Sequence, residues 1–181
     1  DEEFLGRARK LGETLGPILY QLPPRWAFNR ERLEDFVALL PPDLVHVFEF
    51  REKSWLTEEV LALLDSRGIS FCAHDMPGLA TPRWASGPIA YVRFHGGTGK
   101  YVGRYSDEAL LGWTDWIVDQ AKAGREIWCY FNNDIHGHAI DDALTLRAMV
   151  GQALPAVLPG KAEPGGNEEL QAAPGFRLSP G

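Results

Sequence analysis

An apolar run, Ile127-Trp128-Cys129-Tyr130-Phe131, gives way to five polar side chains within the next seven residues: Asn132, Asn133, Asp134, His136 and His138. Apolar periodicity resumes from Ala139 to Val150. This is the shape of a buried strand that delivers polar groups at its C-terminal end before the chain turns into a helix. In parallel α/β folds, ligands bind at strand C-termini. Four earlier segments read the same way, so the chain is organised as βα units around one shared polar rim.

In chain order, Phe4, Ala8, Leu11 and Leu15 recur at helical spacing and predict an amphipathic helix over 2–14. A short strand over 17–22 follows and ends at Pro23-Pro24. Asn29 is placed to cap a helix whose apolar face is Leu33, Phe36, Val37 and Leu40. A second strand occupies 45–51. Thr57 caps the next helix, with Glu58 and Glu59 in its positive first turn and Gly68 beyond its end. A third strand over 69–73 leads to His74-Asp75, either of which can supply a base or ligand to the rim or bond the following loop, and residues 76–88, rich in Pro and Gly, read as a loop. The fourth strand, 89–95, runs into Gly96-Gly97-Thr98-Gly99. Ser106 caps a long helix carrying Leu110, Trp113, Ile117 and Ala121 on one stripe. The fifth strand is 126–132 and the last helix 139–153.

From Pro155 onward, Pro, Gly, Glu and Ser dominate. The expected organisation is therefore one α/β domain over 1–154 and a disordered tail over 155–181. Alternating strands and helices argue for a parallel sheet, either doubly wound or part of a (β/α)8 barrel.

Composition excludes several classes. A net charge of −7 with no long basic run argues against non-specific nucleic-acid binding. Two cysteines, Cys72 and Cys129, lie far apart without CxxC spacing, which suits a reducing compartment such as the cytoplasm. No apolar stretch approaches the ~20 residues that span a bilayer.

The stretch Leu15-Gly16-Pro17-Ile18-Leu19-Tyr20-Gln21-Leu22-Pro23-Pro24 resembles the YecE-like family, domain of unknown function 72. So do Phe48-Glu49-Phe50-Arg51 with Ser54-Trp55, Tyr91-Val92-Arg93-Phe94-His95-Gly96, and Tyr130-Phe131-Asn132-Asn133-Asp134. The four motifs stand in the family's order over about residues 1–150. The resemblance implies a TIM-type barrel of which this chain holds about strands four to eight, and it supplies no reaction. Position 52, here Glu, departs from the His or small residue associated with the family.

Side-chain alternation sorts the rim. Glu49 and Arg51 share a face with Val45 and Val47, leaving His46, Phe48 and Phe50 for the helix side. Tyr91, Arg93 and His95 likewise share a face. Glu49 with Arg51 fits an internal ion pair or a ligand contact. Arg93 can pair with Glu49 or clamp a carboxylate or phosphate. His95-Gly96-Gly97-Thr98-Gly99-Lys100 is not a P-loop, since Phe94 and Tyr101 occupy positions that require Gly and Ser or Thr. Trp26, Trp55, Trp84 and Tyr101 follow strands, where aromatics either stack on ligands or pack the core.

The candidate catalytic residues are thus Glu49, Asp75, His95 and Asp134. The candidate substrate contacts are Gln21, Arg51, Arg93, Asn132 and Asn133. Carboxylates, a His and two Arg suit hydrolysis of a phosphorylated or glycosidic small molecule, with Glu49 as base and His95 as acid. A divalent metal held by Glu49, Asp75 and Asp134 is a variant of that reading. The alternative is a non-catalytic barrel that binds an anionic metabolite through Arg51 and Arg93. The start at Asp1 and the three βα units wanting from a full barrel predict open edges at 17–22 and 126–132. They also predict self-association or a longer parent chain, with Val45, Val47 and Tyr91 more solvent-accessible than in a complete barrel.

Overall fold

The structure is a computed structural model that describes residues 2–154 and 176–180. Six strands form one parallel sheet: β1 Ile18–Gln21, β2 His46–Glu49, β3 Ser70–Asp75, β4 Ile89–Phe94, β5 Glu126–Phe131 and β6 Phe176–Pro180. Their spatial order is their chain order, β1-β2-β3-β4-β5-β6. A doubly wound sheet would reverse order at a switch point. This sheet has none, and it is a partial (β/α) TIM-barrel arrangement.

Four helices connect the strands: α2 Arg30–Ala38, α3 Glu58–Ser66, α4 Asp107–Lys122 and α5 His138–Ala153. The capping residues do what their chemistry dictates. Asn29 accepts from the Arg32 amide, Thr57 from Val60 and Ser106 from Ala109, each satisfying an amide that the first turn leaves unpaired.

Strand alternation then makes two cores. One face of the sheet meets the helices through Phe48, Phe50, Phe71, Phe94 and Phe131, all fully buried. Each such ring stabilises the fold by about 1.5–3 kcal/mol through burial. The opposite, concave face carries Val47, Cys72, Ile89, Tyr91 and Trp128.

Three expectations need correction here. The amphipathic helix over 2–14 is α1 Glu2–Ala8 followed by a 3-10 segment Arg9–Thr14, broken where Gly12 takes a left-handed φ of 57°. Its apolar stripe is not buried: Phe4 and Leu11 are exposed and, with Leu15 and Ile18, line an open groove of about 530 Å³ beside β1, the end strand among the described residues. Of the three concave-face positions expected to gain accessibility over a complete barrel, Val45 is exposed, while Val47 and Tyr91 are buried. The sheet curls far enough for its concave side chains to cover one another. A Cβ added at Gly16, ahead of β1, would stand 3.1 Å from the Trp128 indole of β5. Finally, β5 is not an edge, because Phe176–Pro180 pairs with it from Ile127 to Phe131. The rest of the expected tail, 155–175 and 181, lies outside the described residues.

Candidate functional site

The strands deliver their last concave-face side chains to one place. Gln21 ends β1, Glu49 ends β2 with Arg51 two residues on, and Arg93 with His95 closes β4. Register brings them level: Gln21 lies beside Glu49, and His74 beside Arg93.

Glu49 is the hub and is completely buried. Its Oε1 is ion-paired with Arg51 Nη2, and its Oε2 accepts from Arg93 Nη1 at 2.6 Å. Both guanidiniums also donate to the Gln21 side-chain oxygen, at 3.2 Å from Arg51 and 3.1 Å from Arg93. Burial alone would lift the Glu49 pKa. The charges of Arg93 and Arg51 outweigh it and hold the carboxyl down at about 2, from an ordinary 4.5. Glu49 is therefore a carboxylate at every working pH, too weak a base to serve as the proton acceptor that the residue types suggest.

His95 is also fully buried. Its Nε2 lies 3.1 Å from Arg51 Nη2 and 3.7 Å from Glu49 Oε1. The shorter contact decides the tautomer: a guanidinium can only donate, so Nε2 accepts and the proton sits on Nδ1. Burial lowers its pKa, which agrees with a neutral ring. His74 is neutral for the same first reason, and its Nε2–H donates to the Phe50 carbonyl at 3.0 Å. This leaves Arg51 Nε–H and His95 Nδ1–H as buried donors, and His74 Nδ1 and Asn132 Oδ1 as buried acceptors, without hydrogen-bond partners among the described residues. Two guanidiniums face one carboxylate and two neutral imidazoles, so the cluster carries a net charge of about +1. Its accessible edge is Arg93, 18% exposed, together with the exposed Gln21.

Of the sequence candidates, Gln21, Glu49, Arg51, Arg93 and His95 thus converge. Asn132 follows β5 beside them, its amide donating to the Phe94 carbonyl at 2.8 Å. Asp75 does not join. It has the parity of Phe71 and Ala73, and its Oδ2 accepts from Trp113 of α4 at 3.4 Å on the helix side. Asn133 is also turned to that side, donating to Gly103 O at 2.9 Å and to Asp142 at 2.8 Å. Asp134 is exposed and opens the 3-10 turn Ile135–Gly137, with no bond to the cluster. The expected three-carboxylate metal set is therefore not assembled. No group of three or more His, Cys, Asp or Glu among the described residues is arranged to hold a metal, the His136–His138 pair included. Trp55 stacks on Phe50 in the core, while Trp26 and Tyr101 are each 41% exposed. Glu52 caps the 3-10 turn Lys53–Trp55.

Sequence reasoning passed over Asp142. This fully buried carboxylate accepts from the Tyr105 amide at 3.0 Å, from Asn133 Nδ2 and from Arg104 Nε. It ties the loop after β4 to α5. The signal was present: Asp142 interrupts the buried stripe Ala139, Ala143, Leu146 and Val150.

A curled parallel sheet in sequential order, with a cationic cluster at its strand C-termini, defines an incomplete β/α-barrel that carries its polar site at the usual end. The chain matches the family model described as "Protein of unknown function DUF72" over residues 2–167, and it belongs to that family. It is similar to a DUF72 family protein from Thermotoga maritima MSB8, with a TM-score of 0.73 and 30% identity, over 82% of this chain and 64% of that one. Two structures of a DUF72 family protein from Enterococcus faecalis V583 superpose with TM-scores of 0.67 and 0.65 at 18% and 20% identity, a likeness of fold. They are covered over 60% and 62% of their length, so the chain spans less than two thirds of each of these relatives. No curated protein matches it.

Proposed function

We propose that the chain forms the cationic half of a barrel-mouth site that binds a small anionic metabolite, carboxylate or phosphate, through Arg93 and Arg51. The observation that carries this reading is the charge count: two guanidiniums compensated by the single carboxylate of Glu49, with the edge of Arg93 reaching the surface. The unpartnered donors of Arg51 Nε and His95 Nδ1 support it, because both suit an acceptor-rich ligand. Glu49 orients the two arginines and does not itself touch the ligand.

Hydrolysis of the bound anion is the second reading. It is favoured by the buried His74 and His95, whose imidazoles burial holds in the neutral form beside the two guanidiniums. In that reading His74 Nδ1 is the proton acceptor, because His95 Nε2 is taken by Arg51 and its Nδ1 carries the proton. The motifs support the YecE-like grouping within DUF72. The free, buried Cys72 and Cys129 support a cytoplasmic setting. No helix among the described residues is long and apolar enough to cross a membrane.

Thermal melts with and without inorganic phosphate test the reading. Phosphate at 100 times its Kd adds about 2.7 kcal/mol, which for a chain of this size is a Tm rise of about 5–10 °C. Arg93→Ala should abolish the rise while the fold survives, because Arg51 still balances Glu49. An undiminished rise in the variant would place the anion elsewhere.

A further inference from the structure

The loop after β4 is built to hold one aromatic ring against the cluster. Tyr101 adopts a left-handed φ of 64°, uncommon for a residue with a side chain. Its amide donates to the carbonyl of His95 at 2.5 Å. Its ring meets the His95 imidazole with centroids 5.4 Å apart at 75°. The Lys100 ammonium stands 5.2 Å from the ring centroid. The ring is nonetheless 41% exposed.

The rest of the loop fixes this placement. A Cβ on Gly96 would overlap the Gly99 carbonyl, and one on Gly97 would overlap that of Arg104, so only glycine lets the loop fold back so tightly. The Gly96 amide donates to the Tyr105 hydroxyl at 3.1 Å, Asn133 holds Gly103, and Asp142 holds Tyr105. An unfavourable backbone conformation that so many contacts enforce points to a use for the residue that bears it.

We infer that Tyr101, with Lys100, forms an aromatic and cationic ledge of the anion site, and that the ligand carries a planar ring directly attached to its anionic group. This rests on the reading of Arg51 and Arg93 as an anion site. The geometry is continuous: Arg51 Nη2 lies 3.1 Å from His95 Nε2, and the His95 ring edges onto Tyr101. An anion held by the guanidiniums brings a directly bonded ring toward the open part of Tyr101. There an offset or edge contact between rings is favourable, and Lys100 adds a positive charge at the same rim. Trp26, the other exposed aromatic on a loop that follows a strand, has no contact with the cluster and is left out of the ledge.

The test is calorimetric titration of the intact chain with inorganic phosphate and with phenyl phosphate. Phenyl phosphate should bind about tenfold more tightly than phosphate, the scale of one good ring contact. Tyr101→Gly, which suits the left-handed backbone and so preserves the loop, should remove that advantage and bring the two affinities together. Tyr101→Phe should keep it. Equal affinities for the two anions in the parent, or an advantage that persists in Tyr101→Gly, would overturn the ledge while leaving the anion site standing. Failure of both anions to bind would overturn the anion reading and the ledge with it.

Discussion

Replacing Glu49 with Gln removes one negative charge and little volume from the centre of the cluster. The carboxyl falls from an ordinary 4.5 to about 2 in the folded chain. At about 1.36 kcal/mol per pKa unit, that drop is worth about 3 kcal/mol of stability at neutral pH. Because Glu49 is fully buried, solvent screening does not reduce it. The amide nitrogen of Gln would also face a guanidinium, donor against donor, and breaking one side of a buried ion pair costs about 3–5 kcal/mol. Glu49→Gln should therefore destabilise the chain by about 3 kcal/mol at pH 7. The pH dependence separates charge from packing. A depressed carboxyl contributes stability that is full above its unfolded pKa, near 4.5, and is lost as pH falls through its folded pKa, near 2. The parent should lose this contribution on acidification and the variant should not. Between pH 7 and pH 3.5 the gap between them should narrow by about 1.5 kcal/mol. Urea unfolding followed by fluorescence of the six tryptophans measures both quantities. A cost below about 1 kcal/mol at pH 7, or one that is the same at both pH values, would refute the compensation argument.

Other expectations can be checked alongside. His74 and His95 should titrate below the ordinary imidazole range in an NMR titration. Burial lowers both pKa values, so their contribution to stability should decline as pH falls below about 6.5, the unfolded value. Asp142→Ala should cost about 2–3 kcal/mol, since it strands the Tyr105 amide and the Asn133 side chain, and should speed amide exchange across residues 96–105. Tyr101→Gly should hold or raise the Tm, because it relieves a left-handed residue that costs about 1–2 kcal/mol. A marked fall would mean that the Tyr101 ring holds the fold and is not merely displayed by it.

What the sequence made legible follows from the period of two in strands. Parity alone placed Glu49, Arg51, Arg93 and His95 on the concave side and Phe48, Phe50 and Phe94 under the helices, as found. The same rule applied to β3 separates Cys72 and His74 from Phe71, Ala73 and Asp75. It would have traded Asp75 for His74, had the strand been followed to its true end at Asp75 instead of Ala73. Past the end of a strand the rule has nothing to act on. Asn133 turns to the helix side because Gly103 and Asp142 accept from its amide, the first of them 30 residues away, and Asp134 is exposed. Nor can parity weigh one charge against another. That Glu49 is spent on two arginines, and so is an orienting group instead of a base, depends on contacts between β2 and β4 that span 44 positions. A residue type names the chemistry a side chain is capable of, but the partners it meets decide which part of that chemistry is left to use. At this rim those partners leave Arg93 as the group with charge to spare, and it is the substitution there that should change what the chain binds.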